Sequence, residues 1–263
     1  MSRSRRHLFG TIWPPVVFGL AFLAIWETAV KVFDFQPYFL PAPSAIWDAF
    51  RSNTALIWEA TKVSGLNALI GLVLGTAIGV GMAFLLARFR LAHDLMSPLA
   101  VALNAVPIFV LVAVFNNMYP VTSEVPRRLM ATLVVYFIVL INVARGLREV
   151  GPVYLDLMRS YAASDVTVLR KVRVPHAVPY LFTALKIAAP AAVITAFVSE
   201  YFGGLQNGLG SRIVSNIALS NNAEAWAYVL GACLLGLAFF LTAAALERVA
   251  TPGGVGARER DRA

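Results

Sequence analysis

With 263 residues, 59% of them hydrophobic and only 14% charged, the chain has a mean hydropathy of +0.73, which excludes an ordinary soluble globular domain. Its net charge of +8 is spread around long apolar runs rather than gathered on one interleaved face, so it argues for orientation in a membrane and against nucleic-acid binding. A membrane span takes about 20 apolar residues, so this length holds about five to seven spans in a lipid bilayer.

Residues 1–11 read as a basic tail carrying Arg3, Arg5 and Arg6. The apolar run Ile12 to Val30 follows with no small-x-small cleavage site, so it is an uncleaved first span. Glu27 lies near its far end, where an ionisable group reaches the interface. Ser44, after Pro41 and Pro43, is a candidate N-cap for a short interfacial helix with Ile46, Trp47 and Phe50 on one side. The second span, Val63 to Ala87, is uncharged and carries Gly71, Gly75 and Gly79 four residues apart, a strip against which another helix can pack closely.

The third span is read as Leu95 to Met118. Asn104 and Pro107 near its middle suit either a solute pathway or a bond to a neighbouring helix. In the loop from Tyr119 to Arg128, Arg127 and Arg128 fit an external position poorly. Leu129 to Ala144 is a slightly short fourth span with Asn142 near its inner end, and Tyr180 to Ser199 is the fifth, with Lys186 able to snorkel and Pro190 interrupting the middle. Glu200, beside Gly203 and Gly204, is expected at a solvated helix end, with gating or binding the other reading. Asn104, Asn142 and Glu200 are thus the pathway candidates. A polar stretch leads to the sixth span, Ala225 to Leu246, and a charged tail, 251–263. Residues 12–250 form one transmembrane domain. Cys233 is expected to be a small core residue.

Six spans put both termini on one side. With the N-terminal tail inside, 16 of the 22 lysines and arginines fall on the inner side, which satisfies the positive-inside rule. The inner side then includes the stretch Tyr154 to Pro179. Its apolar residues Tyr154, Leu157, Met158, Tyr161, Val168 and Val172 recur at helical spacings, and Arg159, Arg170, Lys171 and Arg173 lie mostly off that stripe. Ala162, Ala163 and Ser164 break it midway, and Pro175 and Pro179 are expected to close it.

This stretch resembles the cytoplasmic coupling loop of ABC importer permeases, whose pattern is E-A-A, three residues, G, and further on I-x-L-P. The matching positions are Asp156, Leu157, Met158, then Ala162, then Val172, Val174 and Pro175. Ala162 stands where a turn glycine is usual, and since alanine resists positive φ, a differently shaped turn is expected. The strings FLPAPSAIWDAF and SEYFGGLQNGLG are similar to permeases of the nitrate, sulfonate and taurine group.

The sequence has no G-x-x-x-x-G-K-[ST] phosphate loop, no HExxH, no paired CxxC and no nucleophile motif, so it offers no catalytic, cofactor or metal site of its own. No span has a central charge to serve as an ion relay, which argues against a stand-alone secondary carrier, the alternative class together with a membrane scaffold. The resemblance implies an all-α, type I importer permease of about six transmembrane helices in the bacterial inner membrane. It further implies a dimer of cytoplasmic ABC ATPases, an extracytoplasmic solute-binding protein and a second permease chain, taken as identical. In that frame Asp156, Leu157, Met158, Arg159, Ala162, Ala163 and Pro175 form the ATPase-coupling element, within a loop of about 150–179. The implied solute is a nitrate-, sulfonate- or taurine-like anion, with a thiamine or pyrimidine precursor as the alternative.

Overall fold

The computed structural model describes residues 3–89 and 107–250, and among these every regular element is helical. In chain order they are α1 (Arg3–Val32), α2 (Pro43–Ser52), α3 (Thr54–Arg88), α4 (Ile108–Met118), α5 (Val125–Arg148) and α6 (Pro152–Ser160). Asp165–Val168, a π-helical turn Leu169–Arg173 and Val174–Tyr201 then run on without a break as one helix, α7 (Asp165–Tyr201). The short α8 (Leu209–Ala218) and the long α9 (Asn222–Ala250) complete the fold.

Five of these, Trp13–Val32 within α1 and the whole of α3, α5, α7 and α9, are long and apolar enough to span a bilayer. The expected third span lies partly outside the described residues. What is described of it is α4, an 11-residue helix that begins after Pro107, so Pro107 caps a helix here rather than bending one. The chain is therefore an all-α, multi-pass membrane protein. Its helices outrun their apolar segments: the 35 residues of α3 extend about 52 Å at 1.5 Å per residue, against about 30 Å of hydrocarbon. Hydropathy marks the bilayer layer and not the helix ends.

One stripe of α3 organises the packing. Reading along it, Ile57, Ala60, Ser64, Asn67, Ala68, Gly71, Gly75, Gly79, Ala83 and Leu86 are buried, and its three glycines face α5. A Cβ on Gly75 would stand 2.6 Å from the carbonyl oxygen of Thr132, and one on Gly79 would stand 2.9 Å from that of Tyr136. The two backbones meet with no side chain between them, which is how helices pack where lipid is as apolar as protein. Across α5, buried Ala184, Ala188, Ala192 and Ala196 present the same kind of flat face from α7, against Val139, Leu140, Val143 and Leu147. Lys186 of α7 does not simply snorkel to water; it pairs with Glu247 of α9 at 2.7 Å.

A second core joins Ile57 and Ala60 to Leu209 and Ile213 of α8 and Ala225 and Tyr228 of α9. The α1 helix is attached mainly near its C-terminal end, where Trp26 meets Trp226 edge-on at 5.5 Å. There Ser44 is not the N-cap of α2; that position is Ala42, and Pro43 opens the helix. Ser44 instead donates its backbone N–H and its hydroxyl to the Glu27 carboxylate at 3.0 and 2.8 Å, so α1 supplies the cap for α2. Cys233 is exposed on α9 rather than buried in a core.

Candidate functional site

Two places carry the polar chemistry, one at each end of the bundle. At the end where α3 and α5 stop and α7 starts, the segment α6 stands off the body. Pro152 sits in its first turn, where a missing N–H costs nothing, and no residue of the helix is buried. Tyr154 (60% exposed), Leu157 (51%) and Tyr161 (75%) leave its apolar side uncovered. Arg159 pairs with Asp156 at 3.0 Å on the surface. Just upstream, Arg145 donates its Nε to Glu149 at 2.7 Å, a bond that holds the Glu149 carboxyl below its ordinary range.

The helix ends in a Schellman turn. The N–H of Ala162 donates to the carbonyl of Arg159 (2.9 Å) and that of Ala163 to the carbonyl of Met158 (3.0 Å), satisfying carbonyls the helix leaves open. Ala162 takes φ +49°, the left-handed conformation that glycine usually supplies. The expectation of a differently shaped turn is therefore corrected: the backbone keeps the glycine geometry, and alanine bears a strain of about 1–2 kcal/mol in it. Ser164 then accepts from the N–H of Thr167 and caps α7.

Pro175 and Pro179 do not close the element, contrary to the sequence-based expectation. Proline removes an N–H and crowds the carbonyl four residues back, and here that carbonyl, of Lys171, lies within the wider π turn Leu169–Arg173, which is separated from Pro175 by Val174 alone. The helix absorbs the defect and continues into the span. Asp156, Leu157, Met158, Arg159, Ala162 and Ala163 thus stand together on α6 and its turn, while Pro175 lies apart within α7.

At the opposite end, Glu200 is 1% exposed, so the expected solvated helix end is corrected. The Ser64 hydroxyl lies 2.8 and 2.9 Å from its two carboxylate oxygens, and the N–H of Gly210 in the first turn of α8 donates to it at 3.0 Å. Leu209 N–H donates in turn to Ser64 Oγ at 2.9 Å. Glu200 therefore caps α8 from another helix, where a carboxylate suits both the open N–H groups and the helix dipole. A Cβ on Gly208 would overlap the Glu200 carboxyl, so the approach requires glycine.

One turn further along α3, Asn67 joins a second network. Its Nδ2 donates to Glu124 (2.8 Å), and its Oδ1 accepts from Arg128 Nε (3.0 Å). Arg127, 1% exposed, pairs with Glu124 at 2.7 Å and donates to Asn207 Oδ1 at 2.8 Å and to the carbonyl of Leu205. Burial works against the charge of Glu124. The Asn207 amide, the Arg127 charge and the Asn67 amide outweigh it and hold the carboxyl below its usual range. The poor external fit of Arg127 is thereby explained: it is a buried ion-pair partner, not a topological charge.

Of the pathway candidates, Asn142 is half-buried and donates to the carbonyl of Ile138 one turn back in its own helix (2.8 Å). It lies fifteen residues along α5 from Arg127, roughly 20 Å by helix rise, so the structure does not bring it to Glu200. Asn104 lies outside the described residues. Ser64, Asn67, Glu124 and Asn207 were missed by sequence reasoning. Ser64 and Asn67 sit at the N-terminal end of the same buried stripe of α3 as the glycines, which was the available signal.

Residues 75–253 match the family model described as the binding-protein-dependent transport system inner membrane component. A probable ABC transporter permease of Haemophilus influenzae is 32% identical over 205 residues, 76% of this chain and 81% of that one. The formylaminopyrimidine transport permease of Halalkalibacterium halodurans is 26% identical over 90% of this chain and 94% of its own. Further relatives are named for riboflavin, bicarbonate and aliphatic sulfonate transport. The inward-facing methionine ABC transporter MetNI contains a chain of similar fold, with a TM-score of 0.57 at 18% identity, covering 75% of this chain and 95% of that one.

Proposed function

The chain belongs to the family of binding-protein-dependent transport system inner membrane components, and from that premise we propose how its two ends divide the work of a permease subunit in an ABC importer. The subunit lacks a phosphate loop and is a transport component rather than an enzyme. In our reading α6 and its turn are the coupling element, placed in the cytoplasm with both termini, and they dock through Asp156, Leu157, Met158, Arg159, Ala162 and Ala163 in a groove of a cytoplasmic ABC ATPase. Pro175, behind the π turn, joins that element to the span. Two identical permease chains enclose the path, and an extracytoplasmic binding protein loads it from the Glu200 end. The observation that carries this reading is a helix with no buried residue, its apolar side uncovered and its end fixed by a Schellman turn. A rigid, exposed element of that kind transmits motion between a soluble partner and membrane helices.

For the solute, a small sulfonate- or bicarbonate-like anion is the first reading. A formylaminopyrimidine-like thiamine precursor is the second, favoured by the near full-length similarity to that relative. The test of coupling is affinity purification of the tagged chain from its native membrane, with and without the helix-breaking Ala163→Pro. A phosphate-loop ATPase should accompany the unmutated chain only. Its absence from both samples would sink the reading. Uptake of labelled taurine and of labelled formylaminopyrimidine, in cells with and without the chain, then separates the two solutes.

A further inference from the structure

Between the end of α3 and the start of α7 lies a cleft of about 220 Å3, lined by Ala87 and Arg88 on one side and Asp165, Val166, Leu169 and Arg173 on the other. Three arginines near this end of the bundle have partners, while Arg170 has none among the described residues. Arg145 binds Glu149, Arg159 binds Asp156, and Arg148 donates to the carbonyl of Leu86, one residue before Ala87. Arg88 and Arg173 differ. Among the described residues neither guanidinium makes a hydrogen bond or an ion pair, and Arg88 is engaged only by the face of its neighbour Phe89, at 5.7 Å. Asp165 lines the same cleft without an ion pair to either, so the lining carries two cations against one anion.

Two arginines line one small space with a single carboxylate, and a guanidinium presents a planar fork of donors suited to tetrahedral oxyanions. We propose that this cleft is a binding site for a single phosphate group, held between Arg88 and Arg173 and disfavoured by Asp165. The group comes either from an anionic lipid headgroup or from free phosphate. Arg173 belongs to the π turn that links the coupling element to the span, and Arg88 ends a different transmembrane helix. A phosphate held by both ties the two together and registers the anion at the point where the helix is already irregular.

The test uses the full chain purified in a neutral detergent, so its outcome is independent of membrane orientation and of any ATPase. Native mass spectrometry counts retained phosphatidylglycerol after titration, and equilibrium dialysis follows labelled inorganic phosphate. Arg88→Gln with Arg173→Gln should weaken binding by about tenfold or more, the loss expected for charge-assisted hydrogen bonds, while Asp165→Asn should tighten it. Phosphatidylglycerol alone responding identifies the lipid headgroup, and inorganic phosphate alone responding identifies the free anion. Unchanged affinity for both probes in the double variant overturns the site, as does weakening by Asp165→Asn. If the double variant does not fold, Arg88→Gln and Asp165→Asn must still move affinity in opposite directions.

Discussion

Ala162 shows how a residue that breaks a family pattern can leave the geometry intact. Its φ of +49° costs alanine about 1–2 kcal/mol. Glycine would remove that cost but add roughly 0.5–1 kcal/mol of unfolded-state entropy. The strain term is the larger, so Ala162→Gly should stabilise the chain by about 0.5–1 kcal/mol, read as a higher thermal midpoint in detergent. Gly208 argues the reverse. A methyl there overlaps the Glu200 carboxyl, so Gly208→Ala must break the Ser64 or Gly210 bond and should cost about 2–4 kcal/mol in the same assay. Glu124 makes the pH prediction. Its folded-state carboxyl titrates below its ordinary value of 4.5, so the stability it contributes is present above that value and is lost as pH falls through the lower folded one. Glu124→Gln should lack this acid limb. It should also be about 3 kcal/mol less stable at neutral pH, because Arg127 is left buried without its counter-charge; denaturation followed from pH 7 to 3 in both proteins checks the two effects together.

At the scale of elements, periodicity located the helix proposed for coupling, because Tyr154, Leu157 and Tyr161 share one side of a helix whatever surrounds it. The same pattern could not tell that this side would be left uncovered, since an apolar stripe reads alike whether it meets the chain's own core or another protein. The run through Pro175 was illegible for a different reason: a proline normally ends a helix, and the π turn that accommodates it leaves no mark in hydropathy. Helix α8 lies in what reads in the sequence as a polar stretch, although Leu209, Ile213 and Ile217 recur every four residues after Gly208. Exposure on α6 separates stability from coupling. Leu157→Asp touches no core and should change stability by no more than about 0.5 kcal/mol, yet it puts a charge in the middle of the proposed docking side. The variant should purify as well as the parent and lose the co-purifying ATPase. Retention of a full complement of ATPase would remove Leu157 from the docking surface.

For the whole molecule, the class of fold was legible because composition alone forbids a soluble domain and the spans announce themselves by length. The Glu200 end was not. Its polar residues satisfy one another across α3, α5, α7 and α8, and such partners are set by packing that no single stretch encodes. That burial also bears on the charge count. Arg127, paired with Glu124, contributes almost nothing to the charge asymmetry. The proposed cytoplasmic placement of α6 rests on the bias of lysines and arginines toward that end. With Cys233→Ala as background, Ser160→Cys beside the coupling turn should be labelled by a membrane-impermeant maleimide only after the cells are opened. Ser123→Cys, in the turn before α5, should be labelled in intact cells. The opposite pattern would invert the topology and with it the assignment of α6 to an ATPase.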